Sequence, residues 1–108
     1  MRVANKHTYR PESGDRVHYV GRPSPLGNPF SHRRDTLAEK VLPTRDASVH
    51  AYELWLRKRI DAGDVEVLKA LDAIQEGDVL LCWCTPLSCH GDRIIKVLRE
   101  LRAEVKEV

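Results

Sequence analysis

Residues 79–84, Val-Leu-Leu-Cys-Trp-Cys, form an unbroken apolar run that constrains the fold more than any other segment. A half-exposed strand alternates apolar and polar side chains, so a run without a polar position reads as a strand covered on both faces. That is the pattern of a central, parallel strand. Around it the chain offers two more strand-like runs, Arg2–Asn5 and Arg16–Val20, separated by the turn-rich stretch Pro11 to Asp15 and expected to pair as a hairpin.

Three helices complete the pattern. Val49, Tyr52, Leu56 and Ile60 recur at helical spacing between a cap at Thr44 or Asp46 and the stop at Gly63, with Trp55 beside the stripe. A second helix, capped by Asp64 and ended by Gly77, carries Val67, Leu68, Leu71 and Ile74 on its buried side to about Gln75. A third begins near Cys89 and presents Ile94, Ile95, Leu98, Leu101 and Val105. The order β-β-α-α-β-α specifies an α/β chain: a small Rossmann-like layered domain, its short mixed sheet centred on residues 78–84 and flanked by three main helices. At 108 residues, 42% apolar, the chain suits one domain with a single core.

Composition excludes several function classes. No apolar run approaches the roughly 20 residues that cross a bilayer, and the start has no secretory segment, so a cytoplasmic protein off the membrane is expected. A net charge of +2 argues against a dedicated nucleic-acid binder, although residues 1–60 carry 12 basic and 6 acidic side chains against 6 and 10 beyond. That asymmetry suits an anionic small ligand on the N-terminal part. A P-loop and a Gly-x-Gly-x-x-Gly fingerprint are missing, against ordinary ATPase or dehydrogenase activity. A homo-oligomer is compatible with the sequence.

Chemistry-bearing residues concentrate in two places. Cys82, Cys84, Cys89 and His90 lie within nine positions where the central strand gives way to the last helix. Ligands of α/β sheets sit beyond the carboxyl ends of strands, where a following helix presents free N–H groups. Cys89, His90, Gly91 and Asp92 occupy that helix start. Three readings compete: a thiol nucleophile at Cys89 with His90, His18 or Asp92 as base or acid, a zinc site on Cys82, Cys84, Cys89 and His90, and plain burial with helix capping. Asp92 opposes a lowered thiol pKa at Cys89, which favours His90 and Asp92 as polar contacts over Cys89 as nucleophile. Cys-x-Cys is tighter than common zinc spacing, so no cofactor is the first expectation and zinc the alternative.

The second place is Gly21-Arg22-Pro23-Ser24-Pro25-Leu26-Gly27-Asn28-Pro29-Phe30, a loop with three prolines and two glycines after the second strand. Gly21 allows close backbone approach, Arg22 offers a planar fork to phosphate or carboxylate, and Asn28 can read a base edge or a ribose hydroxyl. Gly27 and Asn28 tolerate positive φ, while Tyr19 and Phe30 read as core packing. Residues 31 to 45, with Arg33 and Arg34, look like a mobile flap. His7, His32 and His50 read as solvent-facing.

Residues 17–30, with Val-His-Tyr-Val-Gly-Arg-Pro-Ser-Pro-Leu-Gly-Asn-Pro-Phe, together with Leu81-Cys82-Trp83-Cys84, Pro86-x-x-Cys89-His90-Gly91-Asp92 and the Trp55-Leu56 pair, resemble the domain of unknown function 4326 family of phages and bacteria. The resemblance spans most of the chain and implies a fold group without an assigned activity. More weakly, the pattern is similar to Rossmann-like nucleotide-processing domains of phage and bacterial conflict systems. The combined expectation is a nucleotide-like, phosphate-bearing small molecule bound between the Gly21–Phe30 loop and the Cys89–Asp92 helix start. Ligand contacts fall to Gly21, Arg22, Ser24, Gly27, Asn28, Cys84 and Gly91, and acid/base or nucleophilic roles to His90, Asp92 and Cys89. An enzyme on this plan is a nucleotide- or nucleoside-processing hydrolase or transferase. The alternative is a zinc-bound structural or nucleic-acid-contacting module, with Arg33, Arg34 and Arg45 on phosphates.

Overall fold

A computed structural model describes residues 1–31, 40–41, 44–83 and 89–106. Its elements are β1 (Arg2–Asn5), β2 (Val17–Tyr19), β3 (Phe30–Ser31), β4 (Lys40–Val41), α1 (Arg45–Asp61), α2 (Val65–Asp72), β5 (Val79–Cys82) and α3 (His90–Lys106). Most of the expected flap, with His32, Arg33 and Arg34, lies outside the described residues, as do Cys84 and the turn Thr85 to Ser88.

The chain is α/β, and the apolar run forms its central strand: β5 lies between β1 and β2. Both pairings are parallel, with Val3 beside Leu80 and Tyr19 beside Leu81. The expected hairpin therefore does not form, and the main sheet is wholly parallel instead of mixed. The physical reason lies in β5, whose main-chain groups must be paired on both edges once its residues are buried. The connection of residues 6–16 accordingly returns from the end of β1 to the start of β2 as a crossover, a task usually given to a helix. It runs over the Arg2 side of the sheet, where Tyr9 stacks under the Arg2 guanidinium at 5.6 Å and donates a hydrogen bond to Asp15. A separate pair, β3 with β4, is also parallel, and Ser31, Lys40 and Val41 of it fall inside the stretch read as a flap.

The helices share the opposite side. Leu80 and Cys82 of β5 join Val20, Tyr52, Leu56, Val67, Leu71, Ile74, Ile94, Val97 and Leu98 in one core cluster, against which Val3 packs. Side chains alternate along a strand, so these residues mark one face of the sheet. Thr44 caps α1 by accepting from the Ala47 N–H, and Asp64 caps α2 by accepting from the Val67 N–H, as the cap residues predict. Gly63 follows α1 at φ +73°, a conformation glycine adopts without strain. Two details differ. Leu68 is exposed, because the short α2 buries only Val67 and Leu71, and Val97 of α3 replaces the partly buried Ile95 in the core.

Between α1 and α3 sits a buried acid. Glu53 accepts from Arg93 at 2.7 Å, Lys96 at 3.1 Å and Arg57 at 3.1 Å, and Arg57 continues to Glu100 at 2.6 Å. These cations, with Arg93 foremost, hold the Glu53 carboxyl down at about 2 against its partial burial. The α1–α3 clamp positions the start of α3 against the sheet.

Candidate functional site

All three parallel strands end on one edge, at Asn5, Tyr19 and Cys82, and α3 starts beside it. Gly91 makes the close approach feasible: a Cβ there would stand 3.0 Å from a Val3 methyl, so a larger residue requires Val3 or the start of α3 to shift. Next to it, His90 is buried and its Nε2 lies 2.6 Å from the Val20 carbonyl oxygen. A carbonyl only accepts, so Nε2 carries the hydrogen and Nδ1 is the acceptor nitrogen. Desolvation keeps this ring neutral by lowering its pKa, helped by the nearby Arg22 charge and opposed by the Val20 bond and by Asp92.

The acceptor nitrogen faces sulfur. Cys89 Sγ lies 3.8 Å from His90 Nδ1, 2.8 Å from Cys82 Sγ and 3.4 Å from the Gly91 N–H that donates to it. Cys82 and Cys89 are both buried, Cys89 only 1% exposed. The phenol of Tyr52 packs beside this cluster: its ring makes a T-shaped contact with His90 at 4.9 Å, and its hydroxyl donates to the Leu26 carbonyl at 2.8 Å. Burial, and secondarily Cys89, push the Tyr52 pKa up, so the hydroxyl stays a donor.

The loop of residues 21–29 is anchored to α1. Leu26 is in the core, and buried Asn28 donates through Nδ2 to Ser48 Oγ at 3.0 Å. Neither Gly27 nor Asn28 uses the positive φ it tolerates; what favours glycine at 27 is the close approach of Arg22, whose Cα would stand 3.0 Å from a Cβ there. Gly21 is likewise filled in by the Tyr19 phenol, whose hydroxyl donates to the Arg22 carbonyl at 2.8 Å. The Arg22–Pro23 peptide is cis. Ser24 Oγ is buried with no hydrogen-bond partner among the described residues.

The predicted residues thus divide. Arg22, Cys89, His90, Gly91 and Asp92 come together at the sheet edge, Arg22 and Asp92 both acting electrostatically on His90. His18 does not join them, since its Nε2 is drawn to Asp78 Oδ2 at 2.8 Å before the start of β5. Asp78 also accepts from the Gln75 N–H, and these bonds, Gln75 first, lower its pKa. The Asp78 bond to the edge strand orients His18 away from the thiols. Among the described residues no group of three or more His, Cys, Asp or Glu is arranged to hold a metal, and Cys84 lies outside them.

Sequence reasoning missed part of this edge. Trp83 is exposed at the end of β5, its indole N–H donating to Tyr19 Oη at 3.1 Å and its carbonyl accepting from Asn5 Nδ2 at 3.3 Å. Lys6 Nζ stands 4.3 Å from the Tyr19 ring centroid and 5.3 Å from that of Trp83, and His7 meets the indole edge-on at 4.8 Å. The signal was the apolar run itself: the odd-numbered residues of 79–83 face away from the helices, and the last of them is an indole. His7 and His50 are exposed, as expected.

No helix among the described residues is long and apolar enough to cross a membrane. No curated protein and no solved structure matches the chain. The family model described as domain of unknown function (DUF4326) does match, over residues 3–100, and the chain belongs to that family.

Proposed function

We propose that the protein binds a nucleotide-like, phosphate-bearing small molecule at the carboxyl edge of the β1-β5-β2 sheet, between the Gly21–Phe30 loop and the start of α3. The observation that carries this reading is the convergence of three parallel strand ends, the Arg22 charge and the first turn of a 17-residue helix on one edge. Helix N-termini and guanidinium groups both favour phosphate oxygens. Asp92, exposed in the first turn, is the acceptor for a ribose hydroxyl. His90 and Cys89 have a supporting part: one ring nitrogen is committed to Val20, and the thiol is interior. The reading is therefore binding, without a covalent step at Cys89.

The test is native mass spectrometry of the purified protein for retained nucleotide and metal, followed by calorimetric titration with pyrophosphate and AMP. Arg22→Lys keeps the charge but loses the two-pronged geometry, and should weaken both by about 1–3 kcal/mol. Unchanged affinity in the lysine variant removes Arg22 from the site. Retained zinc in place of nucleotide supports the cysteine-histidine alternative.

A further inference from the structure

Trp83 is the outlying feature of this edge. Its indole is half exposed and yet fixed by its neighbours, which leaves an oriented amphipathic ring at the surface. Three neighbours orient it: Tyr19 takes its N–H, the His7 ring packs against it in a T-shaped contact, and Asn5 binds its carbonyl. The Tyr19 hydroxyl that accepts from the indole donates to the Arg22 carbonyl, so the aromatic pair is tied directly to the residue read as the phosphate contact. Lys6 adds a cation 5.3 Å from the indole centroid. An oriented indole whose N–H is already satisfied acts through its π system, over which Lys6 stands, and every nucleobase offers a matching face.

We propose that Trp83 is the stacking platform for the base of the bound nucleotide, with Lys6 beside it as a second phosphate contact. This rests on the nucleotide reading above. It makes the ligand an aromatic anion instead of a bare phosphate or a sugar phosphate, and it assigns Asn5, His7 and Tyr19 to positioning the indole.

Three probes separate the parts: AMP, pyrophosphate without a base, and adenosine without a phosphate, each followed by calorimetry and by tryptophan emission. AMP should quench emission saturably and bind more tightly than pyrophosphate. Trp83→Leu should raise the Kd for AMP about tenfold or more while leaving pyrophosphate unchanged. Trp83→Phe keeps an aromatic face, so AMP should still bind while the quenching is lost, Trp55 alone remaining. Lys6→Gln should weaken AMP and pyrophosphate but not adenosine. Thermal unfolding of each variant checks that the fold is retained. Pyrophosphate binding that is sensitive to Arg22→Lys, with AMP no tighter and Trp83→Leu without effect, overturns the platform and leaves the phosphate site standing. Saturable quenching by adenosine without pyrophosphate binding does the reverse. Failure of all three probes to bind overturns both.

Discussion

Glu53→Gln is the most informative single change to the frame that holds the site. The substitution keeps the volume of the side chain and its contacts within α1, and removes only the charge that Arg93, Lys96 and Arg57 share. A carboxyl that titrates at about 2 in the fold and at 4.5 otherwise contributes at most about 3 kcal/mol at neutral pH. Its partners are partly solvated, 33% exposed at Arg93 and 50% at Lys96, so water screening reduces that to about 1–2 kcal/mol. For a chain of this size the loss corresponds to a fall in Tm of about 5–10 °C. The pH dependence gives the mechanism. Because the folded carboxyl titrates below the unfolded one, its contribution is complete above about pH 5 and disappears as pH falls toward 2. Urea unfolding of both proteins should therefore show a gap at pH 7 that has largely closed by about pH 2. An equal gap at both pH values would show that the glutamine disturbs packing and that the ion cluster contributes nothing.

Other outcomes follow from the same geometry. Cys82 and Cys89, at 0% and 1% exposure, should resist iodoacetamide in the native protein and react fully after denaturation; rapid native labelling of Cys89 with an inflection well below about pH 8.5 would restore the nucleophile reading. A strong chelator should leave cooperative thermal unfolding unchanged, since the core cluster is apolar, and loss of the transition on chelation would favour the zinc alternative. Tyr52→Phe should cost about 1–3 kcal/mol by leaving the Leu26 carbonyl unpaired near the site loop, measured as a lower urea midpoint, and an unchanged midpoint would show that the carbonyl finds another donor.

Local signals determined much of this protein. The apolar run announced a central strand because only a strand paired on both edges buries such a sequence, and Thr44, Asp64 and Gly63 bounded helices through groups that act within one turn. The clustering of Cys89, His90, Gly91 and Asp92 at a strand-to-helix junction was likewise readable, because topology places that junction at the carboxyl edge of the sheet. Tertiary structure decided the rest. Short strands such as β1 and β2 carry no mark of their partner, so only the insertion of β5 between them turned an expected hairpin into a parallel sheet. His18 looked like a candidate base until Asp78, sixty residues away, claimed its ring nitrogen. Gly21 and Gly27 looked like ligand-facing glycines, and their need comes from Tyr19 and Arg22 occupying the space a side chain would take. Trp83, read as one more buried member of its strand, faces solvent because the helices pack on the opposite side of the sheet, and which face a strand turns to its helices is settled only when they dock.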